Sequence, residues 1–288
     1  MTTLARTVVD THVVAKRNLL KILRVPEILV AVLISPIMFV LLFAYVFGGA
    51  IDPGEGVSYR EFLIPGIFAQ TVVFGATFTG AGIADDMQKG ILDRFRSLPM
   101  SQSAVLAGRT ASDVVYNVLS LVIMALTGRT ISDVANNVLV LVVMSLTGLL
   151  VGWGIHSSPG EAALGFVLLL IFAYAVSWIM AWLGMLVPSV EVFNNATFIV
   201  IFPLTFVANT FVPLETLPAP LQTFAEWNPV SAVTQASREL FGNIPEGVPT
   251  PDSWPLQNSV LYTLIWSAIF IIVFVPLANF QYRRSTSR

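Results

Sequence analysis

Few residues in this chain could do chemistry, and their spacing excludes most reactions. The 288 residues include no cysteine, which removes disulfides, thiol catalysis and cysteine-based metal sites. The two histidines, His12 and His156, sit near the ends of apolar runs. Neither has a second ligand at metal spacing, so no metal site is expected. No Gly-x-x-x-x-Gly-Lys-Ser/Thr phosphate loop occurs. ATP chemistry would therefore need another chain, and no cofactor is expected on this one. No Gly-x-Ser-x-Gly nucleophile elbow occurs either. Asp113 and Asp133 follow Ser112 and Ser132 at repeated positions and suit helix capping or proton relay. Glu191 reads equally as an exposed loop acid or as a partner for an arginine.

The best candidate for contact chemistry is a short charged stretch within residues 85–107. Ile91, Phe95 and Leu98 fall at helical spacing, with Asp93, Arg94 and Arg96 turned away from them. Gly90 starts this short helix and Pro99 stops it. An apolar stripe on a charged helix suits docking in a groove of another protein; resting on lipid headgroups is the alternative.

The elements that must position these groups are apolar runs. Hydrophobic residues make up 56% of the chain and charged ones 11%, against about a quarter charged in a soluble domain. Six spans are expected, near residues 26–48, 62–84, 131–153, 162–187, 193–213 and 257–280, because only helices satisfy their backbone in lipid. The first span should be retained as an anchor, with no cleaved leader. Thirteen of the fifteen Lys and Arg residues then fall on one side, leaving only Arg60 and Arg238 opposite. The positive-inside rule places both termini in the cytoplasm. No charge falls mid-span, which argues against an ion-coupled carrier or an intramembrane enzyme.

Three further segments stand out. Residues 5–24 have basic and apolar faces and read as an interfacial helix or as a plain basic flank. Residues 213–256 are rich in proline and read as short helices dipping into the outer leaflet, packed on neighbouring spans. Residues 108–127 recur as 128–147 with fourteen of twenty positions identical. The second copy is assigned to the bilayer because it continues into the longer apolar run.

A path for small molecules would be built from apolar and weakly polar side chains. Candidates are Gln70, Thr71, Thr77 and Thr79 on the second span, Tyr174, Trp178, Met180, Trp182 and Met185 on the fourth, and Thr205, Asn209 and Thr210 on the fifth. Such faces accept flat amphiphiles; helix packing and the aromatic belt are the alternative.

The order of segments resembles a known family. Phe62-Leu63-Ile64-Pro65-Gly66, Gly90-Ile91-Leu92-Asp93-Arg94, Leu98-Pro99, Phe211-Val212-Pro213-Leu214-Glu215 and Trp227-Asn228-Pro229-Val230 are similar to the permease subunits of type-two ABC exporters, in the daunorubicin-resistance-like drug branch. The duplication departs from that pattern. The resemblance implies one all-helical permease domain over residues 1–288 in the plasma membrane. Gly90, Ile91, Asp93, Arg94, Phe95, Leu98 and Pro99 would then couple to a separate ATPase, present in two copies and carrying ATP and Mg. Phe211, Pro213, Glu215, Trp227, Asn228 and Pro229 would form the outer gate. A second permease chain would complete a dimer that exports a hydrophobic small molecule, with no nucleic-acid partner. A glycan-exporting permease and an ATP-independent six-span carrier are the alternatives.

Overall fold

The computed structural model describes residue 34 and residues 37–47, 51, 58–89, 137–244 and 252–286. Regular structure among them is helical throughout. Helix α1 covers Ile37–Val46, with a π-helical end over Phe43–Phe47. It is followed by α2 (Tyr59–Gln88), α3 (Asn137–Val151), α4 (Pro159–Gly184) and α5 (Val190–Phe206). A 3₁₀ turn over Leu214–Thr216 leads to α6 (Ala219–Glu226), α7 (Pro229–Phe241), α8 (Trp254–Gln257) and α9 (Ser259–Thr286).

Among the described residues, α2, α4 and α9 are long and apolar enough to cross a membrane, and α1, α3 and α5 are apolar over the 10 to 17 residues that are described. Each expected span with described residues coincides with one of these six, displaced by a few residues. The largest displacement is at α5. It ends at Phe206 rather than near residue 213, one turn after Pro203, and the chain then turns back so that the Asn209 amide donates to Ser231 Oγ (3.1 Å). At 1.5 Å per residue its 17 residues reach about 26 Å, short of a hydrocarbon core of about 30 Å.

Sequence signals explain the boundaries. Ser158 and Glu161 form a reciprocal capping box at the start of α4, with Pro159 at the first helical position. Ser189 caps α5. Asn228 Oδ1 accepts from the Val230 amide (2.9 Å) at the start of α7. Gly242, at φ 70°, ends α7 in the left-handed conformation that glycine adopts without strain.

Helix α2 is the hub. It crosses α4 where Gly80 faces Gly184, and a Cβ on Gly184 would run into the Gly80 backbone. Small residues let backbones approach where lipid offers no hydrophobic drive. Near the α7 end, Phe68, Trp153 and Phe241 meet edge to face at 5.3–6.0 Å, with Phe166 tilted against Phe241. This aromatic knot fastens α2, the α3–α4 loop, α4 and α7. Buried hydroxyls in the long helices bond to their own preceding turn, as Ser177 does to Ala173 O (2.9 Å) and Ser267 to Thr263 O (2.8 Å). These two hydroxyls are thereby satisfied without water.

The expected interfacial helix (5–24), the coupling stretch 90–107 and the first repeat copy lie outside the described residues. Of the second copy, residues 137–147 are described, and they form most of α3.

Candidate functional site: an apolar cavity below a buried polar clamp

Helix α7 lies within the proline-rich segment and is buried from Val230 to Arg238. Its polar residues Ser231, Gln235 and Arg238 follow helical spacing, so they form one stripe, and that stripe faces inward. Arg238 is only 3% exposed, and it is held by main-chain oxygens. Nε donates to Phe62 O (2.8 Å). Nη2 donates to Asn209 O (2.6 Å), with Thr210 O at 3.4 Å. The guanidinium lies 3.7 Å from the centre of the Phe62 ring. The Asn209 side chain turns its oxygen to Arg238 Nη1 (3.3 Å) and its nitrogen to Ser231 O (3.2 Å). The reverse orientation would reach Gln235 Oε1 at 3.4 Å but set amide N–H against guanidinium N–H. Burial pulls the Arg238 pKa down, against the upward influence of Tyr59 and Glu215. A guanidinium keeps its proton regardless, so a full positive charge sits among dipoles.

One residue therefore joins α7 to the start of α2 and to the turn after α5. Further bonds join α7 to other neighbours. Ser259, the first residue of α9, donates to Glu239 (2.5 Å), which also accepts from Gln235 (3.2 Å). On the α3–α4 loop, Trp153 Nε1 donates to Asn243 Oδ1 (3.0 Å), Ser157 Oγ to Leu240 O (2.6 Å), and the His156 amide to Phe241 O (2.9 Å). His156 also contacts Glu61 (2.8 Å) at the surface.

Below α7 lies a cavity of about 290 Å³. Helix α4 lines it with Phe172, Val176, Ile179, Met180 and Leu183, and α5 with Phe193, Thr197, Val200, Ile201 and Leu204. Val73 of α2, Phe270 of α9, and Pro229 and Val230 of α7 complete the wall. The one hydroxyl, Thr197 Oγ1, donates to Phe193 O (2.6 Å), so the lining presents almost no free polar group. Asn228 Nδ2 donates to Leu204 O (2.7 Å) and joins α7 to α5 at the edge of this cavity.

The structure distributes the sequence candidates differently. Met180 lines the cavity. Tyr174 and Trp178 pack edge to face at 6.2 Å in a separate cluster with Ile83, Met185 and Ala278. Thr77 and Thr205 bond to their own helices, at Phe74 O (2.6 Å) and Ile201 O (2.9 Å). Gln70 is buried on α2, and none of these five lines the cavity. Asn209 belongs to the Arg238 clamp.

The outer-gate candidates are spread over the turn after α5 and the start of α7. Phe211 is buried and stacks on Phe43 (4.4 Å), while its carbonyl accepts from Tyr59 Oη (3.2 Å). Pro213 opens the 3₁₀ turn, and Glu215 is exposed on it. Trp227 is exposed, with its carbonyl accepting from Tyr262 Oη (3.0 Å). Asn228 and Pro229 start α7. The coupling candidates Gly90, Ile91, Asp93, Arg94, Phe95, Leu98 and Pro99 lie outside the described residues. Sequence reasoning missed Arg238 and Gln235. The available signal was the polar stripe at 231, 235 and 238 between an Asn-Pro cap and a terminating glycine.

The model of one family, described as ABC2_membrane, ABC-2 type transporter, matches residues 10–153 and again residues 123–241. The shared stretch 123–153 contains the second repeat copy. The chain is 32% identical over 263 residues to the daunorubicin resistance ABC transporter permease protein DrrB1 of Streptomyces coeruleorubidus, covering 91% of this chain and 82% of that one. It is 24% identical over 276 residues to the putative transport permease ycf38 of Porphyra purpurea, covering 94% and 84%. The corresponding protein of Cyanophora paradoxa is 22% identical over 281 residues, covering 94% and 86%.

Proposed function

The chain belongs to the ABC-2 type transporter family, in its drug-resistance permease branch, and from that premise we propose that it carries hydrophobic or amphiphilic compounds out of the cell, driven by a separate ATPase. The observation that carries the substrate class is the cavity below α7. Its wall is aliphatic and aromatic, and its single hydroxyl is already bonded within its own helix. Such a wall gains free energy by burying apolar surface and offers a sugar chain no partners for its hydroxyls. It therefore favours a drug, antibiotic or lipid over a glycan. The relative whose name records daunorubicin resistance supports the same class.

In this reading α1 to α5 and α9 are six spans, α6 and α7 dip into the outer leaflet, and both termini are cytoplasmic in the plasma membrane. Two such chains pair, and two ATPase subunits dock on the stretch after α2. Helix α2 runs without a break from Tyr59 to Gln88, so a push on that stretch travels along one helix to the outer segment. The chain itself hydrolyses nothing.

The test is purification of the tagged chain in mild detergent with ATPase activity assayed on the eluate, in parallel with efflux of a fluorescent amphiphile from cells. A co-purifying nucleotide-binding protein, lost with Arg94→Glu along with efflux, is expected. Stable insertion with no ATPase partner, or unchanged efflux in a well-expressed Arg94→Glu chain, would overturn the reading.

A further inference from the structure

We propose that Arg238 is a positioning residue that holds α7 closed over the outer end of the apolar cavity, using its guanidinium as a fork on main-chain oxygens. A buried guanidinium is normally neutralised by a carboxylate, and a surface one is left to water. Here, among the described residues, its short contacts are the oxygens of Phe62, Asn209 and Thr210 and the Phe62 ring. Those oxygens belong to the first turn of α2 and the turn leaving α5, two elements far apart in sequence. A planar donor with fixed directions can bond both at once, whereas an ammonium group cannot match that fork and the ring stacking together.

What the fork holds is the cavity wall. Pro229 and Val230, at the other end of α7, line the cavity, and Asn228 fixes them to Leu204 O. With the Arg238 contacts in place the 13-residue helix is anchored at both ends. Without them, the bonds of Ser231, Glu239 and Asn243 to the turn after α5, to α9 and to the α3–α4 loop would remain, but the side-chain bond from α7 to the first turn of α2 would be gone. Oxygen acceptors suit a latch that must release, because a main-chain carbonyl freed near the outer surface can rebond to water. A stranded carboxylate would leave a second buried charge. A hydrogen bond to a charged group is strong enough that losing one shifts a local opening equilibrium about tenfold or more.

The latch stands on geometry alone; its part in transport rests on the permease reading. The absence of cysteine makes its test direct. Val230→Cys, 1% exposed in the wall, and Ala173→Cys, fully buried in α4, are each made alone, with Arg238 intact, as Arg238→Met and as Arg238→Lys. Labelling with a membrane-impermeant maleimide is timed in whole cells and in inside-out vesicles. The expected result is that Arg238→Met speeds labelling of position 230 in whole cells about tenfold or more, that Arg238→Lys gives an intermediate rate, and that position 173 stays protected. Continued protection of position 230 would overturn the latch, and so would exposure only from the inner face. Equal exposure of positions 230 and 173 would also overturn it, because Arg238 would then serve folding as a whole. None of these readouts needs the ATPase partner or a substrate, so the latch and the permease reading fail independently.

Discussion

Asn228 shows how one side chain can serve two elements. Its oxygen caps α7 and its nitrogen holds Leu204 O of α5. Asn228→Ala should lose both, at about 1–3 kcal/mol, and lower the thermal unfolding midpoint of the detergent-purified chain by several degrees. Asn228→Ser keeps a capping acceptor but is too short to reach Leu204 O, so it should fall between the alanine variant and the parent; equal midpoints for the alanine variant and the parent would contradict the assignment. Phe241 makes a different kind of contact. It sits in the aromatic knot with no exposure, and Phe241→Ala should cost about 3–5 kcal/mol, visible as loss of monodisperse protein on size exclusion. At this scale the sequence was only partly legible. Asn-Pro at the start of α7 and glycine at its end are local chemistry and can be read directly. Arg238 was not, since its partners are main-chain oxygens more than 25 residues away, and main-chain oxygens carry no residue signature.

Helix α3 is where the sequence posed its hardest question. Within α3, Asn137, Leu141, Met144 and Gly148 are buried. Twenty residues earlier stand Asn117, Leu121, Met124 and Gly128, the same residue types in the same register. Deleting 108–127 leaves α3 and everything after it unchanged. Deleting 128–147 joins the first copy to Gly148 and keeps the four core-facing types. Either deletion should therefore give a chain that inserts, though deleting 128–147, which sets Ser120 where buried Val140 stands, should resist detergent unfolding less well than the parent. Deleting both removes most of α3 and should abolish stable insertion, which a fluorescent-fusion profile on size exclusion would report. The helices themselves were the legible part of the fold, because an apolar run of span length has one solution in lipid. Their ends shifted where a residue acts beyond composition, as at Pro203 and the turn that delivers Asn209 to Ser231. Helix α7 was expected as a short helix packed on neighbouring spans, and it is buried; what went unread is that its polar stripe faces inward. Its polar stripe reads as water-facing until α2, α4, α5 and α9 are known to surround it.

Across the whole molecule, the cavity explains why a path drawn from the sequence favoured different side chains. Five helices contribute, and their lining residues are ordinary apolar ones with no spacing that separates them from core. Tyr174 and Trp178 looked distinctive by type, yet helix rotation turns them toward α2 and α9 instead. Val200 offers the contrast that tests the cavity as a substrate site. It lies on the cavity wall but is 65% exposed, outside the packed core. Because α5 is read as a span, a charge there also burdens insertion, so efflux is compared at matched membrane levels of the variant and the parent. Val200→Glu would place a carboxylate where an apolar compound must pass, and removing that charge from water costs several kcal/mol. Efflux of an uncharged amphiphile should fall by about tenfold or more, while co-purification of the ATPase stays at the parental level. Trp178→Phe, away from the cavity, should leave efflux near parental. If Trp178→Phe impaired efflux and Val200→Glu did not, the path would run along the α2–α9 face of α4, and the cavity would be a packing space.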